Sequence, residues 1–261
     1  MTGQTASQRP RLVLVHGWAQ HAGIWQAWRE RLAPIADMTA VDLPGHGGTP
    51  WKNAIRSLDA LADSVLPALE QPAALCGWSL GGMIAMNLAR RHPSRVTRLV
   101  LCNTTPRFVA GHDWIHAVQP SLVEGFRRRV SENPERVLRD FLSLQLRGES
   151  DSRQTLTLLR SALTDQNRPR AAALEFTLSL LAQTDLRDEL AAIAPPTLVI
   201  ASDADAITPL AAGEYLARQL PDARLLTVTG CGHAGFLSRP ERLSPGLDEF
   251  LGGESVQEMA S

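Results

Sequence analysis

The chain reads as an α/β protein: a mainly parallel, twisted sheet flanked by helices, with a helical segment inserted into it. Three features predict this. Six short apolar segments have strand character, amphipathic helices lie between them, and from about Val109 to Gln183 the pattern is helical only.

The first strand is predicted at Arg11–His16, where Leu-Val-Leu-Val is apolar on both faces before the chain stops at Gly17. Met38–Leu43 repeats the pattern and ends at Pro44-Gly45. Ala73–Gly77, Thr97–Cys102, Thr197–Ala201 and Ala223–Val228 supply the remaining strands. Ser57 is placed to cap a helix whose stripe is Leu58, Leu61, Ala62, Val65, Leu66 and Leu69, with Pro67 kinking it or stopping it early. Leu80–Arg91 is a second helix. Arg90 and Arg91 suit its C-terminal dipole, and His92-Pro93 ends it.

In the inserted segment, Val123, Phe126, Arg127 and Val130 share one face. Val137, Leu138, Phe141, Leu142, Leu144 and Gln145 form a second stripe. Breaks at Pro120, Asn133-Pro134, Gly148 and Arg168-Pro169 divide the segment into about four helices. The expected organisation is a core in two parts, 1–109 and 185–261, around a helical cap at 110–184. The tail from Gly252 to Ser261 is expected to fray.

Composition excludes several classes. At 261 residues the chain buries enough surface to need no disulfide or metal staples. A hydrophobic fraction of 44% with 20% charged residues is ordinary globular composition, not that of a disordered, collagenous or coiled-coil chain. The net charge of −1 leaves no basic excess to draw the chain to nucleic acid or an anionic membrane. Met1–Ser7 has no basic segment leading into an apolar core, and no apolar run approaches the roughly 20 residues of a membrane span. Cys76, Cys102 and Cys231 are odd in number and lack metal-ligand spacing, so reduced thiols in a cytoplasm are expected. Cys231 lies near His233 but reads as a buried packing residue. His112 and His116 have i,i+4 spacing without a third ligand and read as solvated helix histidines. No metal or cofactor is expected.

The sharpest chemical signal is Gly77-Trp78-Ser79-Leu80-Gly81-Gly82, a G-x-S-x-G motif with a predicted strand before it and a helix after it. Such a turn presents the serine at the C-terminal edge of the sheet, where open α/β folds bind ligands. A serine hydroxyl needs a base. His233, in the small-residue loop Gly230–Phe236 after the sixth strand, is placed to supply it. The base needs an acid to hold its tautomer. Asp203 and Asp205 both follow the fifth strand, and the spacing of Asp205 to Thr208-Pro209 favours Asp205; Asp203 would otherwise bond loop amides or cap the next helix. The order Ser, Asp, His is the one expected for this architecture. The backbone amides of Leu80 and of Trp18, in the loop His16-Gly17-Trp18, are the candidate oxyanion donors.

Together with Asp42-Leu43-Pro44-Gly45-His46-Gly47, these motifs resemble the α/β-hydrolase fold superfamily. A narrower set is similar to the pimeloyl-[acyl-carrier protein] methyl ester esterases of biotin synthesis. It comprises His16-Gly17-Trp18, the elbow, Phe141-Leu-Ser-Leu-Gln145, Asp113-Trp114, Pro120–Phe126 and Thr184–Arg187, across about Leu12 to Phe250. The resemblance implies a serine carboxylesterase that cleaves the methyl ester of a pimeloyl chain on its carrier protein, giving pimeloyl carrier protein and methanol. It implies substrate contacts at Trp18, Ser79, Leu80, Phe141, Leu142, Ser143, Leu144, Gln145 and His233. Trp18, Trp78 and Phe141 have the apolar bodies to wall a channel for methylenes.

The implied partner is an acidic acyl-carrier protein, and Pro120–Arg170 holds ten arginines against seven acids. Arg127, Arg136, Arg139 and Arg153 are the candidate carrier contacts, with Arg128, Arg129 and Arg160 also on these helices; such a face speeds encounter with an acidic partner. Asp140 stands directly before Phe141, where the resemblance leads one to expect a basic residue, and no leading β-hairpin precedes Arg11. A monomer is expected. Two other readings keep part of the argument: a general carboxylesterase or lactone hydrolase for small soluble esters, and a ligand-binding receptor on a hydrolase scaffold.

Overall fold

The computed structural model describes residues 9–149, 152–162 and 167–252. Its sheet has six parallel strands: β1 (Arg11–Val15), β2 (Asp37–Val41), β3 (Ala73–Trp78), β4 (Val96–Cys102), β5 (Thr197–Ser202) and β6 (Ala223–Val228), in spatial order β2-β1-β3-β4-β5-β6. The apolar runs account for this order. β1, β3 and β5 are buried almost throughout, as interior parallel strands must be, whereas the edge strands β2 and β6 alternate with exposed positions.

Side chains alternate across the sheet and so divide the core in two. Val13, Val15, Leu75, Leu99 and Leu101 face α2 (Leu58–Asp63), α3 (Leu80–Arg91) and part of the inserted helices. Leu12, Leu14, Cys76, Val100 and Ile200 face Trp25, Trp28, Phe236 and Leu247 on the other side. Helix α1 (Gln26–Leu32) supplies Trp28, and α8 (Leu210–Gln219) packs on β5 and β6. The Ser57 hydroxyl accepts from the Ala60 N–H at 3.1 Å, and α2 stops at Asp63 ahead of a 3-10 turn at Leu66–Leu69 that holds Pro67.

Between β4 and β5 lie α4 (Pro120–Val130), α5 (Pro134–Gln145), α6 (Ser152–Ala162) and α7 (Ala171–Gln183). Pro120 and Pro134 occupy first helical positions, and Asn133 caps α5 by accepting from the Arg136 N–H at 3.0 Å. At the neck of this segment Arg107 and Arg187 pair with Asp113 and Asp185, and Arg107 bridges Asp185 in an isolated antiparallel contact. The described residues end in the short α9 (Gly235–Ser238) and α10 (Ser244–Gly252). The readings of Met1–Ser7 and of the tail past Gly252 lie outside the described residues.

One expectation is corrected. His112 and His116 are not on a helix. Gly111 and Trp114 exchange backbone hydrogen bonds at 2.8 and 3.1 Å, and Val118 bridges Val109, so these residues close a turn instead. His112 is exposed, and the His116 ring stands edge-on to Trp114.

Candidate active site

β3 runs into the Gly77–Gly81 turn and α3 leaves it, which sets Ser79 at the carboxyl edge of the sheet. Ser79 has φ 55° and ψ −117°, a strained region that costs a non-glycine residue about 1–3 kcal/mol. Its neighbours hold it there. A Cβ on Gly77 would collide with the Gly81 carbonyl, and one on Gly81 with the Val15 carbonyl of β1. The Ser79 N–H donates to the Cys102 carbonyl at 3.0 Å, and the Thr104 hydroxyl donates to the Ser79 carbonyl at 2.7 Å.

The histidine and the acid arrive on the loops after β6 and β5. His233 Nδ1 lies 2.7 Å from Asp205 Oδ2, and both side chains are buried. Asp205 also accepts from the Ile207 and Thr208 N–H groups at 2.7 and 2.9 Å and from the Thr208 hydroxyl at 2.6 Å. A carboxylate with this many donors is an ionised acceptor, so the proton between the pair sits on Nδ1 and Nε2 is left as the acceptor nitrogen. Nε2 has no hydrogen-bond partner among the described residues. The Ser79 hydroxyl is therefore not yet bonded to it, a contact that tightens in such sites when substrate binds. Asp203 stands apart and accepts from the Gly230 N–H at 2.8 Å.

The loop after β1 borders the serine, since a Cβ on Gly17 would lie 3.2 Å from the Ser79 Cβ. Trp18 follows in a tight turn closed by the Gln20 N–H on the Gly17 carbonyl, with Ala19 at φ 62°. Leu80 opens α3, so its N–H belongs to the first-turn donors that no helix carbonyl can satisfy. The Trp18 indole donates to the Leu174 carbonyl at 3.2 Å, which ties this loop to α7.

Above Trp18 lies a nearly closed apolar cavity, with only about 10 Å³ of room for the centre of a water molecule and walls that include Trp18, Phe108, Phe126, Phe141, Leu144 and Leu178. Phe141 meets Trp18 edge-on with ring centroids 4.8 Å apart. The predicted run 141–145 divides. Phe141 and Leu144 line the cavity, Leu142 packs in the opposite core, and Ser143 is exposed with its hydroxyl on the Arg139 carbonyl. Gln145 is fully buried and its amide has no partner among the described residues. Trp78 departs from expectation. Its indole donates to the His233 carbonyl at 3.2 Å and packs against Phe236, so it supports the histidine and does not wall the cavity.

On the surface of the inserted helices, Arg127, Arg136, Arg139 and Arg153 are exposed. Arg127 pairs with Glu124 and Arg139 with Glu135, at 3.3 and 4.0 Å, on their own helices. Arg129 is engaged by Asp140 at 2.6 Å, which gives that acid a structural partner. Burial pushes the Cys231 thiol above its ordinary range and the nearby Glu149 adds to this, so Cys231 is no thiolate nucleophile. Among the described residues no group of three or more His, Cys, Asp or Glu could hold a metal ion, and no helix is long and apolar enough to cross a membrane.

One supporting residue escaped the sequence reading, and a second, Thr208, was read there only as a spacing mark. Asn103, at φ 38° just past β4, donates to the Ser202 hydroxyl and the His233 carbonyl at 2.9 Å each and accepts from the Ser202 N–H at 2.8 Å. Thr208 holds Asp205. The available signal was weak: a polar Asn-Thr-Thr following an apolar strand at the ligand-binding edge.

The fold, with its serine elbow and its Asp–His pair on the next loops, defines an α/β hydrolase. A family model described as alpha/beta hydrolase fold matches residues 10–240. The chain belongs to that family and, within it, groups with the pimeloyl-[acyl-carrier protein] methyl ester esterases. It is 42% identical to the protein of that name from Aromatoleum aromaticum, over 94% of this chain and 99% of that one. It is 38% identical to the one from Nitrosomonas europaea, over 92% and 94%. Among solved structures, a hydrolase from Pseudomonas aeruginosa PA01 superposes with a TM-score of 0.78 at 25% identity, covering 96% of this chain and 92% of that one.

Proposed function

We propose that the protein is a serine carboxylesterase that hydrolyses the methyl ester of pimeloyl-[acyl-carrier protein], giving pimeloyl-[acyl-carrier protein] and methanol in biotin biosynthesis. The observation that carries this reading is full-length relatedness, inserted helices included, to esterases of that name. The Asp205–His233 pair beside a strained serine supports the chemistry. Ser79 attacks the ester carbonyl while His233 Nε2 takes its proton and Asp205 holds the imidazole. The Trp18 and Leu80 amides receive the oxyanion. His233 then protonates the departing methoxide oxygen so that methanol leaves, and a water activated by the same nitrogen hydrolyses the acyl-serine ester to release the acid.

The apolar lining behind Trp18 suits the methylenes of the acyl chain, since it brings apolar surface and no charge, and its nearly closed walls part to admit them. Residues 110–184 act as a cap, and its exposed arginines Arg127, Arg136, Arg139 and Arg153 face the acidic carrier protein. The enzyme works as a cytoplasmic monomer. The test is to mix the purified protein with pimeloyl-carrier-protein methyl ester and follow both products by mass spectrometry. Methanol and free pimeloyl carrier protein in equal amounts over many turnovers support the proposal. A single turnover with the acyl group retained supports a receptor, and no reaction with the carrier-linked ester refutes the substrate.

A further inference from the structure

The turn that leaves α5 comes down on both loops that hold Asp205 and His233. Gly148 has φ 83° and packs so closely on the acid's loop that a Cβ there would overlap the Ala204 carbonyl. On the histidine's loop, a Cβ at Gly232 would lie 2.9 Å from the Arg147 carbonyl and 3.0 Å from that of Gln145. Glu149 completes the contact. Its side chain is fully buried, and its Oε2 accepts from the Gly232 N–H at 3.1 Å. The same carboxylate fills the space over Gly235 where a side chain would stand. Arg239, itself 12% exposed, lies 3.9 Å from Oε1. A carboxylate is held dry in this way only where bonded donors and charge offset its desolvation.

We infer that Glu149 is a positioning residue for His233, reaching from the inserted helices to fix the loop that carries the base. The inference rests on His233 being that base. Gly232 directly precedes His233, so a bond to its N–H bears on the backbone that aims the imidazole. Asp203 and Asn103 hold the same loop from the core, through Gly230 and the His233 carbonyl. Glu149 is the anchor that comes from the other side. No proton passes through it and it touches no substrate. The consequence is that the Leu146–Glu149 turn and the base loop move together, so whatever shifts the cap also shifts the base.

The test uses a short p-nitrophenyl ester, whose binding is independent of a carrier protein. A misplacement of about 1 Å costs on the order of 10²-fold in rate, so Glu149→Ala is expected to lower kcat about 10- to 100-fold and leave KM within about 2-fold. Glu149→Gln, which still offers an oxygen to the Gly232 N–H, is expected to return kcat to within about 3-fold of the parent. A purely structural role would not give this split and rescue. Parental kcat in Glu149→Ala, or an equal kcat loss in both variants, overturns the inference. Should Glu149→Ala fail to fold, Glu149→Asp replaces it: the charge stays, the reach shortens, and a parental kcat again overturns the idea. Ser79→Ala, run in parallel, separates the two readings. Its inactivity beside an unaffected Glu149→Ala sinks only the positioning role, whereas its activity sinks the serine chemistry itself.

Discussion

Around Ser79 and His233, directed bonds hold nearly every group. The serine's backbone N–H and carbonyl are both engaged, Asp205 accepts four hydrogen bonds, and Asn103 stitches the histidine's loop to β5. Around Phe141 the picture is different. The cavity walls are apolar rings and branched side chains, most of them from β1's loop and three inserted helices, and apart from the Trp18 indole on the Leu174 carbonyl they are held by shape. The first region stores strain and tolerates little change, because a misdirected bond is lost outright. The second is graded, because each methylene contributes only a fraction of the binding. On the proposed function, chemistry and chain-length preference are built from different physical materials, and substitutions in the two regions separate them.

The largest effect falls in the first region. Ser79→Ala is expected to lower kcat for every ester by about 10⁶-fold, measured by single-turnover hydrolysis, with no dependence on acyl length. Asp205→Asn comes next, at about 10⁴-fold in kcat with the fold intact, because the imidazole loses the partner that selects its tautomer. If Asp203→Asn has that effect instead, the acid is misassigned. In the second region Phe141→Ala should act by substrate. A lost apolar wall is worth roughly 10- to 200-fold in kcat/KM for a pimeloyl-length ester, and an acetyl ester should respond far less. Equal losses on both substrates would mean that Phe141 holds the site together and does not read the chain.

A smaller effect concerns stability. Burial holds the His46 ring at a pKa of about 4, against an ordinary value near 6.5, and burial together with His46 lowers His16 as well. The unfolded chain takes up a proton at His46 near pH 6.5, whereas the folded protein refuses it until about pH 4. Stability is therefore full above pH 6.5 and falls as the pH drops through that window, by on the order of 3 kcal/mol from His46. Urea unfolding of the parent and of His46→Phe at pH 7 and pH 4.5 tests it: the variant should show the smaller pH dependence.

The same division explains what could be read from the sequence. The six strands, the elbow and the Asp and His loops were legible because a tight backbone leaves a local residue signature: glycines where a methyl will not fit, proline at a helix start, apolar runs between helices. The supporting groups were not. Asn103 and Glu149 act on segments distant in the chain, and nothing adjacent to them in sequence records the partner. Leu142 and Ser143 sit in the run 141–145 that the resemblance assigns to substrate, yet the helix turns them to another core and to solvent. His112 and His116 show a helical spacing that the Gly111–Trp114 bonds override.

The most direct measurement is a side-by-side comparison of kcat/KM for pimeloyl-carrier-protein methyl ester and for a short-chain p-nitrophenyl ester, each at low and high salt. The account predicts a much larger value for the carrier-linked ester, falling as salt screens the cap arginines, with the short ester indifferent to salt. Equal or lower efficiency on the carrier-linked ester, with no salt dependence, would contradict it and leave a general esterase.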